Sequence, residues 1–335
     1  MNKRSYLTLT IAALLLQACG GSGDNNTELA APVLTLSVSD APVDGAMQVV
    51  ACFSEIELKA TDAANNKTFL IGDSAGSAEA NDLCTDDQGV VVNNTRGIDL
   101  LTLAGMSSAE LLSDIEIAPG DYSQIRLTMS GHSYAIVDLD HDGVADDADE
   151  DGTPDKVAVS IPSNELKLDG FTALVGQITD LTVEFDLRKG MADPVGQEGY
   201  FLKPRAVRIV DNSVSGHIQG TVSESLLSDN LCTVVPRDVT RPVASVYLYE
   251  GSALDEATLA DNGGTEGLEA LTSVGVLFDG VDTYNFEIGF VGAAGYTLAL
   301  TCDDDVDPEG DDEVSFISVV EAQVAEQGQI TDVAF

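Results

Sequence analysis

Eighteen residues near the middle of the chain hold its densest chemistry. They run Asp138-Leu-Asp140-His-Asp142-Gly143-Val144-Ala-Asp146-Asp147-Ala-Asp149-Glu-Asp151-Gly152-Thr153-Pro-Asp155. Carboxylates recur at every second position, a glycine turns the chain, and the pattern starts again. Like charges this close repel, and a divalent cation that takes oxygen ligands removes the repulsion. Calcium suits the stretch better than magnesium, because a flexible cage of many carboxylates fits the larger ion. Ca2+ is the one cofactor that the sequence implies.

The spacing assigns roles. In the ligand frame of an EF-hand, Asp138, Asp140 and Asp142 take positions one, three and five, and Gly143 supplies the sharp turn at six. Val144 offers its backbone carbonyl at seven, Asp146 stands at nine and Asp149 at twelve. An EF-hand has glutamate at twelve; aspartate is shorter, so this loop must close more tightly. A second copy begins nine residues on. Asp147, Asp149 and Asp151 stand as one, three and five, Gly152 as six, the carbonyl of Thr153 as seven and Asp155 as nine. Ala158 falls at twelve, so this copy lacks its last ligand, and Asp149 serves both copies. The overlapping Asp-x-Asp-x-Asp-Gly order, ending Gly-Thr-Pro-Asp, resembles a thrombospondin type-three calcium repeat. The flanks, Tyr134-Ala-Ile136-Val137 and Lys156-Val157-Ala-Val159, are β-rich rather than helical, which argues against a true EF-hand. The expected role of the ion is structural: it orders a long insertion and rigidifies the hairpin beside it.

No catalytic frame accompanies the loop. His132, His141 and His217 stand in no His-Glu-x-x-His arrangement, and no Gly-x-Ser-x-Gly elbow occurs. A second acidic run, Asp303 to Glu313, lacks the alternating order and reads as a solvated loop. Arg188-Lys189 is a basic pair at the end of an alternating strand pattern, where it is expected to pair with nearby acids. The formal net charge is -42, with 57 acidic against 15 basic residues. A field of that sign repels nucleic acid and excludes it as a partner.

The first residues read as an address. Lys3 and Arg4 precede the apolar run Tyr6–Leu16, which is too short to span a bilayer, and Leu16-Gln17-Ala18-Cys19 follows. This order resembles the lipobox of bacterial lipoproteins. The resemblance implies a signal peptide over 1–18, cleavage before Cys19, and lipidation (palmitate among the acyl chains) of its thiol and amine. Gly20 follows the cysteine, which favours the outer membrane as the site of the anchor. Residues 19–31 read as a flexible tether. Four cysteines remain, Cys52, Cys84, Cys232 and Cys302. Export to an oxidising compartment suggests two bridges. Three connectivities are possible, and two cysteines in each half favour Cys52–Cys84 with Cys232–Cys302.

Period-two alternation dominates both halves, as in Leu34-Thr-Leu36-Ser-Val38, Leu181-Thr-Val183-Glu-Phe185 and Gly216-His-Ile218-Gln-Gly220. Val49–Phe53 and Ile56–Lys59 read as two further strands. Ser107-Ser-Ala-Glu110 before Leu111-Leu112 has the form of a capping box and predicts one short helix. Ser37-Val-Ser-Asp40-Ala-Pro-Val-Asp44, Ile98-Asp-Leu-Leu101, Pro119-Gly-Asp-Tyr-Ser-Gln-Ile-Arg-Leu127, Phe185-Asp-Leu-Arg-Lys189 and Tyr200-Phe-Leu-Lys-Pro204 resemble the bacterial lipoprotein domain family DUF4382, a domain of unknown function. The resemblance spans about 32–211 and implies a β-rich exported module with no established activity. Ile218-x-Gly220-x-Val222 and Gly295-Tyr-Thr-Leu298 resemble a carboxypeptidase-regulatory or transthyretin-like β-sandwich, which implies a structural or recognition module.

The expected architecture is mostly β: two antiparallel sandwich-like domains, with one short helix in the first, behind a lipoprotein signal peptide. The first domain covers 32–212 with the calcium loop inserted at 138–155, and the second covers 213–335. The expected function is a non-enzymatic, calcium-stabilised binding or adhesion-type module. It would be held to the outer membrane by its lipid, facing the periplasm or the surface, with a carbohydrate or protein ligand. A purely structural envelope lipoprotein is one rival, and a hydrolase of extracellular polymer working through a carboxylate pair is the other.

Overall fold

The computed structural model describes residues 30–41, 46–138, 144–148, 152–192, 199–235, 237, 239, 241–261, 267–303, 314–324 and 328–335. These residues are mostly strand. The first half contains β1 (Val33–Ala41), β2 (Ala46–Ala60), β3 (Lys67–Leu70), β4 (Arg96–Asp99), β5 (Ala109–Glu116), β6 (Gly120–Met129), β7 (Tyr134–Val137), β8 (Val157–Ser160), β9 (Glu165–Ala173) and β10 (Ile178–Asp186). A single helical turn α1 (Leu187–Gly190) follows, then β11 (Met191–Ala192), β12 (Tyr200–Leu202) and β13 (Val207–Asp211). The second half holds β14 (Ser215–Val222), helix α2 (Glu224–Asp229), β15 (Ala244–Glu250), β16 (Thr272–Phe278), β17 (Tyr284–Gly292), β18 (Gly295–Thr301), β19 (Phe316–Gln323) and β20 (Ile330–Ala334).

Three sheets result. One is ordered β13-β10-β1-β5, and a second runs β11-β12-β8-β7-β2-β6-β9 with β3 and β4 also paired to β2. The third is β19-β18-β15-β16-β17-β14-β20. Most pairings are antiparallel; β1–β10, β8–β12 and β14–β20 are parallel. The alternation seen in sequence decides which side chains enter the core. Leu34, Leu36 and Val38 of β1 meet Phe53, Ile56 and Leu58 of β2, together with Val183 and Phe185 of β10, in one buried cluster. The Phe53 and Phe185 rings meet edge to face, 6.1 Å apart, and tie the first two sheets together. A separate cluster in the second half gathers Val246, Leu248, Tyr284, Phe286, Leu298 and Leu300. Ala41, the last residue of β1, belongs to that second cluster.

Two expectations about elements are corrected. Val49–Phe53 and Ile56–Lys59 are not separate strands but parts of the 15-residue β2, whose register against β6 shifts between Phe53 and Glu55. The predicted helix over Ser107–Leu112 does not form. Residues from Ala109 onward are β5, with Leu112 opposite Leu36 and Glu110 opposite Ser37 on β1. An open β1 edge and two fully buried leucines outweigh a local capping preference worth about 1 kcal/mol. The short helix of the first half is α1 instead, capped where the Asp186 carboxylate accepts the Lys189 amide at 2.9 Å.

Both expected bridges are present. Cys52–Cys84 (Cα–Cα 5.9 Å) fastens the long loop after β3 to β2, and Cys232–Cys302 (Cα–Cα 5.3 Å) joins the segment after α2 to the end of β18. Among the described residues no helix is long and apolar enough to cross a membrane.

Candidate functional site

The acidic loop joins β7 to β8, which pair antiparallel with Tyr134 opposite Ala158. Asp140, Asp142, Asp149 and Asp151 lie outside the described residues, as does His141. The described ligand candidates are Asp138, Val144, Asp146, Asp147, Thr153 and Asp155. Asp138 is buried at the end of β7, whereas the Val144 side chain is exposed. The Asp146 amide donates to the Val137 carbonyl at 2.8 Å, and the Asp155 amide donates to the Asp146 carbonyl at 2.9 Å. Both halves of the loop therefore return to the neck of the hairpin. The Gly152 amide donates to Asp147 Oδ2 at 2.8 Å, so the sixth residue of the second copy folds back onto its first. Gly152 has φ +88°, a conformation that glycine adopts without strain. The Ala148 amide donates to Asp155 Oδ2, also at 2.8 Å. Among the described residues no group of three or more His, Cys, Asp or Glu side chains is arranged to hold a metal ion.

A second acid-rich region was not singled out from the sequence. Parallel pairing of β1 with β10 sets Ser39 opposite Glu184 and Ala41 opposite Asp186, and β13 sets Arg208 opposite Glu184. Asp40, Glu184 and Asp186 are only 1%, 4% and 4% exposed. Burial pushes all three carboxyls above the ordinary range. Glu184 reaches about 8: burial dominates, Arg208 and the Ser39 hydroxyl pull it back, and Asp186 adds to the rise. Asp40 is raised well above its usual value by burial and then by the charges of Glu184 and Asp186, which the Leu187 amide offsets in part. Asp186 is raised by burial and held down by the Lys189 amide and the Thr272 hydroxyl.

The cations around this cluster reach into the second half. Arg188 Nη1 donates to Ser245 Oγ on β15 at 2.5 Å. Lys189 Nζ pairs with Glu269 at 3.1 Å and donates to the Ala270 carbonyl at 3.2 Å. Arg208 Nη1 donates to the Phe290 carbonyl on β17 at 2.9 Å. Gly289 of β17 lies so close to Gly105 that a Cβ there would fall on the Gly105 carbonyl oxygen. The region is thus a polar seam between the two cores. The expected ion pairing of Arg188-Lys189 holds for Lys189, but its partner is eighty residues away. With exposures of 1–4%, these carboxyls cannot meet a polymer, so they are no acid/base pair for hydrolysis.

Elsewhere, the His217 ring packs edge to face on Phe290 and accepts the Phe290 amide at 3.2 Å; burial lowers its pKa. Of the second acidic run only Asp303 is described, and its carboxylate accepts the Ser315 amide at 2.8 Å.

Sheets stacked over buried apolar clusters make this a β-sandwich type of protein. More particularly, a family model described as a domain of unknown function, DUF4382, matches residues 33–204, and the chain belongs to that family. No curated protein matches the chain in sequence. Similar solved structures include a candidate cell adhesion protein from Bacteroides fragilis (9% identity, 91% of each chain covered, TM-score 0.20). Others are the shaft pilin SpaA from Lactobacillus rhamnosus GG (8% identity, 90% of this chain and 97% of that one, TM-score 0.18) and the major pilin of Streptococcus pyogenes (9%, 91% and 99%, TM-score 0.15). TM-scores this low carry no argument about function.

Proposed function

We propose that the chain is an outer-membrane lipoprotein, anchored through Cys19, that acts as a non-enzymatic, calcium-stabilised binding or adhesion-type module for a carbohydrate or protein ligand. The observation that supports it best is the loop neck. The ligand order read from Asp138 to Asp155 sits on a paired hairpin, and the Gly152 amide already bends the second copy toward Asp147. In this reading calcium is held by Asp138, Asp140, Asp142, Val144, Asp146 and Asp149 in one copy and by Asp147, Asp149, Asp151, Thr153 and Asp155 in the other. The non-enzymatic part of the reading is supported by the closed state of the carboxyl cluster, the densest buried group of acids among the described residues.

Calorimetric titration of the EDTA-treated protein tests the calcium reading. Heat of binding and a raised melting temperature are expected, and Asp138→Asn, Asp140→Asn and Asp142→Asn together should abolish the first site. Neither heat nor thermal shift in millimolar calcium would sink it. Glycan-array binding that depends on calcium supports a ligand-binding module. Recovery of envelope components alone, with no glycan or external protein bound, favours the purely structural envelope lipoprotein.

A further inference from the structure

We propose that the tip of the turn between β9 and β10, which carries the chain from one sheet to another, rests on the lipid surface that holds the Cys19 anchor, with the calcium loop directed away from it. The inference deepens the lipoprotein reading and rests on it. Residues 170–179, Gly-Phe-Thr-Ala-Leu-Val-Gly-Gln-Ile-Thr, carry no charge in a chain with 57 acidic residues. At the tip Leu174, Val175 and Ile178 are 51%, 42% and 71% exposed. Three large apolar side chains within five residues form a patch, not scattered surface residues.

The chain itself brings this patch to the anchor. The Gly176 amide donates to the Ala30 carbonyl at 2.8 Å, and the Val33 amide donates to the Gln177 carbonyl at 3.0 Å. Ala30 lies eleven residues beyond Cys19. That length spans at most roughly 40 Å fully extended. A lipid on Cys19 therefore keeps the tip within reach of the bilayer. A single weak membrane contact gains much from a second one nearby.

The strand register fixes the opposite pole. The tip residue Ala173 pairs with Gly120 at the start of β6, and Tyr122 of β6 pairs with Ala60, the last residue of β2. At the other end of β2, Ala46 pairs with Val137, from which the acidic loop departs. Patch and loop thus lie at opposite ends of a 15-residue strand, on the order of 45 Å apart. The uncharged turn faces lipid, with Asp121 beside it on β6, and the most acidic loop stands clear of it.

The absence of tryptophan from the chain makes the test clean. Val175→Trp in the tip and Val281→Trp at an exposed site of the second half (75%) each create one reporter. The full-length acylated proteins are reconstituted in phosphatidylethanolamine/phosphatidylglycerol vesicles, with and without brominated acyl chains. Quenching at position 175 at least threefold stronger than at 281 is expected, and Leu174→Asp beside Val175→Trp should halve it. Equal quenching at both positions in protein that floats with the vesicles overturns the tip contact and leaves the anchor standing. A Cys19 peptide whose mass shows no acyl chain overturns the anchor and the tip contact together. Native-like melting of each variant keeps misfolding out of the comparison.

Discussion

The molecule crowds carboxylates twice, and the two crowds face opposite problems. The acids from Asp138 to Asp155 belong to the loop that joins β7 to β8, and of those described, Asp146, Asp147 and Asp155 are partly open to water whereas Asp138 is buried. Asp40, Glu184 and Asp186 are sealed between two cores. In the loop, the proposed divalent ion would relieve the repulsion, which requires the charged form. In the seam, burial makes the charged form costly, and the relief is a proton. Acid density alone does not say which relief applies; burial decides it.

The largest test of that contrast is pH. Folded Glu184 keeps its proton up to about pH 8, whereas its ordinary value is 4.5. Between those values the folded state binds more protons than the unfolded state, so stability must fall as pH rises. It is fully present below about 4.5 and lost as pH approaches 8, and the raised Asp40 and Asp186 act in the same direction. The limit for Glu184 alone is on the order of several kcal/mol. Urea unfolding in EDTA should show lower stability at pH 8 than at pH 5, and Glu184→Gln should flatten the slope. A slope that persists unchanged in the variant breaks the assignment. The calcium loop has the opposite sign, because its ligands must be deprotonated.

Cutting the seam comes next. Arg208→Ala removes the guanidinium that holds the Glu184 pKa down and reaches the Phe290 carbonyl, and leaves the buried acids without that counter-charge. A loss of about 3 kcal/mol is expected in the urea midpoint at pH 7. Calcium binding by the loop should be untouched, since loop and seam are separate sites. A shift of calcium affinity in this variant would show that the two regions are coupled. Calcium itself is expected to add about 2.7 kcal/mol at a hundredfold excess over its dissociation constant. Chelation should remove that increment, and the triple aspartate-to-asparagine change should remove the share due to the first copy.

The contrast also explains what was legible. The loop's acid order was legible because it is consecutive in sequence, and its place between two strands and the turn at Gly152 follow from local pattern. Strand patterns were legible for the same local reason, as Leu34, Leu36 and Val38 show. The seam was not, because it is assembled from Asp40, Glu184, Arg208 and Ser245, which only the β1–β10 and β10–β13 pairings and the packing of the second half bring together. Its traces were present as Ser39-Asp40 and Asp186-Leu-Arg188-Lys189, yet a charged residue in an alternating pattern ordinarily points to water. The false helix at Ser107 fails for a related reason: a capping preference is local, whereas the open edge of β1 that captures Leu112 is not.

The smallest effect separates what Asp155 does for the folded loop from what it does for the ion. Its Oδ2 accepts the Ala148 amide at an exposed position, a bond worth about 1 kcal/mol at most. Asparagine keeps an acceptor oxygen there, so Asp155→Asn should change calcium-free stability by only a few tenths of a kcal/mol. A carboxylate has about four acceptor sites, so accepting one amide still leaves capacity for an ion. The same variant should therefore weaken the second calcium step by roughly tenfold, the equivalent of about 1.4 kcal/mol, while leaving the first step in place. If titration shows both steps unchanged, Asp155 shapes the loop through the Ala148 amide and is no ligand. If calcium-free stability drops as far as calcium affinity does, the loop is held by its own hydrogen bonds, and its carboxylates resemble those of the seam more than their exposure suggests.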